Sequence, residues 1–287
     1  MPTRRDFLNA SLLFPVAGAL LSGEPERSFS VFTLLRPTVL SVSPIGSARL
    51  HCATAWGRRV IEQRQRITLD RNDVPIAIAG PDGGRAPFLL EVPGVMRRSY
   101  YGRLHVARAD ETLLPVITMQ CEIAAGSIAG AELATWAAPI DALAAQAVVS
   151  RSILIASKPR HKLADFCDTT HCQFLRSPAE PGSATARAIE QTAGTVLSQD
   201  GRPLIPLYSA ACGGTTDAVI DRGQRYTSVN CEICRRNRTA RRGHGWGLCQ
   251  EGAVGLARLG WSWQAILHKY FPDATIERFS SSLRYYS

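Results

Sequence analysis

Residues 139–159 read Pro139-Ile140-Asp141-Ala142-Leu143-Ala144-Ala145-Gln146-Ala147-Val148-Val149-Ser150-Arg151-Ser152-Ile153-Leu154-Ile155-Ala156-Ser157-Lys158-Pro159. Proline suits the first turn of a helix, where its missing N–H costs no bond. Neither Gly nor Pro interrupts residues 140–157, and Pro159 disfavours helical geometry at Lys158. The stretch therefore predicts a helix opening at Pro139 and ending before Pro159. The sequence on its two sides differs in kind, and that difference sets the fold class.

Towards the N-terminus, short apolar runs alternate with Pro- and Gly-rich breaks such as Gly80-Pro81-Asp82-Gly83-Gly84. Residues 31–35, 48–52, 76–79, 88–92 and 98–106 read as strands. Towards the C-terminus, Ser183 caps a helix over 183–193 with Gly194 beyond its end. Residues 196–207 read as a hairpin turning at Asp200-Gly201. Two more helices are expected over 250–259, stopped by Gly260, and over 262–270. Strands first and mixed elements later predict an α+β fold in a single domain, with a β-rich N-terminal part followed by a helix-plus-hairpin part. The expected division is a signal segment over 1–25, a β-rich part over 30–120 and a core over 121–287.

The 287 residues carry 45 % apolar and 20 % charged side chains, which excludes a mostly disordered chain. No uncharged run reaches the ~18 residues of a membrane helix, and neither a heptad nor a longer repeat is present. The net charge is +9 and only Lys158, Lys162 and Lys269 are lysines among 33 basic residues. An arginine-rich surface suits anionic partners, including acidic cell-wall polymers. Thr3-Arg4-Arg5-Asp6-Phe7-Leu8 followed by the apolar stretch 10–21 has a twin-arginine signal pattern, which predicts export to the periplasm or cell wall. With export expected and few paired basic-aromatic patches, nucleic acid is not an expected partner. After signal removal no transmembrane anchor is expected.

Two cysteine-rich groups follow. His161, Cys167, His171 and Cys172 place two imidazoles and two thiols within twelve residues, and Asp168-Thr169 favours a turn between them. The types suit a tetrahedral structural zinc site, and a Cys167–Cys172 disulfide is the competing reading. Cys212, Cys231, Cys234 and Cys249 admit a second metal site, disulfides or buried free thiols. Cys52 and Cys121 read as core residues. Gly243-His244-Gly245-Trp246-Gly247-Leu248-Cys249-Gln250 alternates glycine with larger residues, allowing a tight path that presents His244 and Gln250 at a loop-to-helix junction.

These segments together resemble blocks of the stage II sporulation protein D family (SpoIID/LytB domain). Residues 142–151 are similar to its "ALKAQAVAAR" signature. Residues 165–173 are similar to its "CDTTHCQ" stretch, 192–197 to "T-x-G-x-V-L" and 208–216 to "Y-S-x-x-C-G-G-x-T". Residues 243–253 are similar to "GHGxGxxQxGA", and 266–272 to the closing "IL-x-x-YFP". The resemblance runs in family order over roughly residues 98–275. It implies a cell-wall protein that cuts peptidoglycan glycan strands, intact or peptide-stripped, as a lytic transglycosylase. The alternative it implies is a non-catalytic glycan-binding activator of a cell-wall amidase. The family's catalytic glutamate precedes the signature in an "E-M-P" setting, and Glu132-Leu133-Ala134 stands there without the proline. The tyrosine of the family's "RTY" is replaced in Arg151-Ser152-Ile153.

On this reading Glu132 is the general acid and then the base, with Leu133 and Trp136 lowering the polarity around it. Gln146, Arg151, Tyr208, Ser209, His244 and Gln250 are the expected substrate-binding residues. His161, Cys167, His171 and Cys172 are the expected ligands of a structural zinc.

Overall fold

The computed structural model describes residues 24–54, 56–134 and 137–279. The signal segment expected over 1–25 lies almost wholly outside the described residues, as does Trp136. The chain is α+β, as expected. It divides into two compact units, residues 24–123 with 159–178, and residues 124–158 with 179–279.

The first unit is built on a ten-stranded sheet. Strands Glu26–Ser30, Thr112–Gln120, Met96–Ala109, Ile76–Ala79, Leu50–Thr54 and Gly57–Ile61 follow one another in antiparallel order. The long strand Met96–Ala109 serves two sets of partners. Its first half pairs with Ala86–Val92, which in turn pairs with Leu40–Pro44. Gly102 stands where the pairing changes. A Cβ there would lie 2.4 Å from the Thr118 carbonyl oxygen, so only glycine allows the strands to approach this closely.

Residues 31–35 correct the sequence reading. The strand ends at Ser30, and Phe32 turns into the left-handed region at φ 56°. The cause is a competing acceptor. The buried Asp168 carboxylate takes the amides of Phe32 at 3.0 Å and Thr33 at 3.4 Å, so they cannot join a ladder. Segment 159–178 packs in this unit because Phe166–Cys167 pairs in parallel with Phe29 and Ser30.

Six α-helices are described: α1 (Cys121–Glu132), α2 (Ile140–Ala156), α3 (Ala184–Gln191), α4 (Glu232–Arg236), α5 (Gln250–Arg258) and α6 (Trp263–Tyr270). In the second unit α2 is the axis, buried at every residue from Ala142 to Ala156. A helix apolar on all sides must be covered on all sides. α3, α5, α6 and the strand Thr195–Gln199 supply that cover. Its polar residues all bond inside. Ser152 Oγ donates to the Val148 carbonyl and accepts from Leu197 N–H at 2.9 Å.

α1 was not foreseen. Gly126 and Gly130 lower its helix propensity and leave no amphipathic period. They serve packing instead: a Cβ on either would meet Ile189 or Thr185 of α3 within 3.0–3.4 Å. The expected cap at Ser183 forms, its hydroxyl accepting from Ala186 N–H, and Ser262 caps α6 in the same way by accepting from Ala265 N–H. The expected hairpin forms with Gln199 opposite Arg202, and both Asp200 and Gly201 have positive φ. Its first strand also pairs with the distant Thr275–Arg278.

Candidate functional site

Glu132 is the last residue of α1, half-buried. The Tyr208 hydroxyl donates to its Oε1 at 2.9 Å, and Gln250 Nε2 donates to its Oε2 at 3.1 Å. Behind Gln250 stands Gln146, whose Oε1 accepts from the same amide at 3.3 Å while its own Nε2 donates to Ser150 Oγ. A buried polar chain of this kind holds its members only if each finds a partner. Here the chain ends on Oε2 of the carboxylate, while Tyr208 holds Oε1. Leu133, the next residue, is in the apolar cluster with Ala142, Leu143, Ala188 and Val254, so the end of α1 is anchored.

Tyr208 and Gln250 come together through backbone pairing. Tyr208–Ser209 runs parallel to Leu248–Cys249, and Gln250 opens α5 directly after it. The glycines of 243–247 make this possible. Gly243, Gly245 and Gly247 all have positive φ, and a Cβ on Gly247 would lie 2.0 Å from the Leu207 carbonyl oxygen. His244 sits exposed in this loop with its Nδ1 accepting from Trp246 N–H at 3.0 Å. Its ring lies against the Trp246 ring, centroids 4.8 Å apart. The loss of water there lowers its pKa, with a hydrogen bond to the Tyr208 backbone acting the other way.

Three of the expected substrate residues, Gln146, Arg151 and Ser209, are placed inside the second unit. Arg151 is 1 % exposed and donates to the Thr195 carbonyl at 2.9 Å, so it ties α2 to a strand inside the core. Gln146 is fully buried and reaches Glu132 only through Gln250. Ser209 is buried beneath Gly243, whose added Cβ would stand 3.0 Å from its own. Of the arginine run at 235–242, Arg241 forks onto the Asp217 carboxylate and Arg242 pairs with Glu251 at 3.0 Å.

His161, Cys167, His171 and Cys172 converge in the first unit, with one ligand atom from each all within 4.8 Å of one another. His161 Nε2 lies 3.1 Å from Cys172 Sγ, and His171 Nδ1 lies 3.4 Å from Cys172 Sγ and 3.8 Å from Cys167 Sγ. Bonds of about 2.0–2.3 Å to one tetrahedral ion give ligand separations of about 3.3–3.8 Å, so this donor set fits zinc. Neither thiol is in a disulfide.

The turn carrying them is pinned by a residue the sequence suggested only as a turn former. Asp168 pairs with Arg98 at 2.8 Å and holds the two amides at Phe32 and Thr33. Arg176 donates to its backbone carbonyl at 2.9 Å. The signal that could have pointed to it was a carboxylate between two candidate ligands with an arginine in a strand to meet it.

The arrangement thus defines an α+β protein with a fixed carboxylate in one unit and a metal-type ligand set in the other. Residues 113–198 match the model of the SpoIID family, described as stage II sporulation protein. The resemblance read from the signature over 142–151 and the block over 165–173 is upheld there. The blocks containing Tyr208, His244 and Gln250 lie beyond the matched residues. No curated protein matches the chain. Among the described residues no helix is long and apolar enough to cross a membrane.

Proposed function

We propose that the protein cleaves peptidoglycan glycan strands as a lytic transglycosylase, with Glu132 as its single acid and base. The family match supports a cell-wall role. The observation that carries the finer reading is the pair of neutral donors, Tyr208 and Gln250, on the two oxygens of Glu132. A tyrosine hydroxyl both donates and accepts, so this carboxyl group can be held in either protonation state.

The chemistry requires such a group. Hydrolysis of a glycosidic bond generally uses two carboxyl groups. A lytic transglycosylase uses one. Protonated Glu132 delivers its proton to the leaving glycosidic oxygen as the C1–O bond breaks. The resulting carboxylate then takes the proton of the same sugar's 6-hydroxyl, whose oxygen attacks C1 and closes a 1,6-anhydro ring. The proton balance returns Glu132 to its starting state. Tyr208 and Gln250 keep the carboxyl oriented throughout, and exposed His244 is available to sugar hydroxyls. Zinc held by His161, Cys167, His171 and Cys172 would supply stability to its turn, with all four positions filled by protein and none open to substrate.

The N-terminal arginine pair supports an exported protein acting in the periplasm or cell wall. Incubating the full chain with peptide-free glycan strands, followed by mass spectrometry of the ends, tests the proposal. Anhydro-muramic ends support it. Intact strands together with stimulated amidase activity support the activator reading instead.

A further inference from the structure

Cys212, Cys231, Cys234 and Cys249 form a second group whose ligand atoms all lie within 4.8 Å of one another. We propose that they bind a metal ion of their own, zinc, in a closed four-thiolate site. All four are at most 1 % exposed and none is in a disulfide. The Sγ atoms of Cys234 and Cys249 are 3.5 Å apart. Four Zn–S bonds of about 2.3 Å place sulfurs about 3.8 Å apart, whereas a disulfide needs about 2.05 Å. The sulfurs converge on a centre and do not pair off.

The surroundings are those of thiolates. The amides of Cys212 and Gly252 both donate to Cys249 Sγ at 3.3 Å. The Tyr270 hydroxyl stands 3.2 Å from Cys231 Sγ. Polar hydrogens aimed at buried sulfur favour the negative, metal-binding form and orient it. The backbone is shaped around the same point. Cys231 and Cys234 flank the first turn of α4, and the Cys231 amide donates to the Gly214 carbonyl at 2.8 Å. α5 reaches the cluster only because residue 252 is glycine: a Cβ there would lie 1.9 Å from the Tyr270 hydroxyl and 2.7 Å from Cys231 Sγ. Soft, tetrahedral, all-sulfur coordination selects zinc among redox-inert divalent ions.

The ion would knot together the chain that carries the carboxylate's partners. Cys249 pairs with Ser209 and directly precedes Gln250, while Cys212 follows Tyr208 by four residues. This positioning role rests on the function proposed above, and the metal assignment itself does not.

The test is zinc content and zinc X-ray absorption of the full chain purified without chelators. Two zinc ions per chain with a mean coordination of three sulfurs and one nitrogen are expected, one site being all sulfur and the other mixed. A single zinc bound by four sulfurs also upholds this site and removes the one at 161–172. A single zinc with two sulfurs and two nitrogens overturns the proposal, as does any disulfide among these four cysteines in non-reduced peptide mapping. Cys234→Ser should lower the zinc content by one ion per chain, and the absorption result on the unaltered chain stands if that variant fails to fold. Glu132→Gln should leave both zinc readings unchanged, so loss of lytic activity and loss of this site are separately visible.

Discussion

The Tyr208 hydroxyl donates to Glu132 Oε1 at 2.9 Å across 76 positions of sequence. The bond joins the end of α1 to the strand Tyr208–Ser209, and with Gln250 on Oε2 it is one of two contacts that set the carboxyl's direction. Tyr208→Phe removes it while keeping the ring. Stability should fall by only about 1 kcal/mol, the usual net value of one such bond. Turnover on glycan strands should fall roughly tenfold or more, with KM little changed and an altered pH–rate profile, because the loss is one of orientation. Equal turnover in the variant, measured by release of anhydro-muramic ends, would remove Tyr208 from the account.

Arg151 gives the opposite expectation. Its guanidinium is buried and bonded to the Thr195 carbonyl. Arg151→Ala leaves that oxygen without its donor and opens a cavity in α2, so unfolding in urea should show a loss of about 3 kcal/mol or more. Glycan affinity of the folded fraction should stay unchanged. A weakened affinity without a stability loss would return Arg151 to the substrate.

Half-buried His105 sets a pH limit on the first unit. Burial lowers its pKa from 6.5 to about 4. The unfolded chain takes up this proton near pH 6.5 and the folded chain only near 4. Stability from this group is therefore complete above pH 6.5 and lost progressively as pH falls from 6.5 to about 4, by up to ~3 kcal/mol. Urea unfolding of the unaltered chain and His105→Gln at pH 7 and pH 4.5 checks this, and the variant should lose less stability on acidification. An identical acid loss in both would place the cause elsewhere.

The sequence was most informative where local chemistry decides structure. Pro139, Ser183, Asp200-Gly201 and Gly260 marked ends and turns that the structure contains, and His161 to Cys172 announced a compact ligand group. Gln146 read as a substrate contact, and the structure places it fully buried behind Gln250. What escaped were effects of distant chain. Asp168 draws in the amides of Phe32 and Thr33 and ends a run of strand-forming residues. Gly126 and Gly130 weaken the local helix signal of α1 and make room for α3. Pairing of Thr195–Gln199 with Thr275–Arg278 leaves no local mark at either end.

The ligand group at 161–172 is expected to hold zinc for stability alone. Cys167→Ser with Cys172→Ser should remove one zinc ion per chain and lower the melting temperature together. Glycan cleavage by the protein that remains folded should persist. Zinc content unchanged by the double substitution, or a Cys167–Cys172 disulfide in the unaltered chain, would contradict this role.

The central claim is that one carboxyl group at Glu132 performs both proton transfers. The most direct measurement compares the unaltered chain with Glu132→Gln on peptide-free glycan strands, with mass spectrometry of the products. Glutamine keeps the shape and the hydrogen-bonding capacity but has no proton to deliver. The account predicts anhydro-muramic ends from the unaltered chain and a loss of at least ~10²-fold in their rate of formation by a folded, glycan-binding variant. Anhydro-ends formed at an undiminished rate by Glu132→Gln would contradict it.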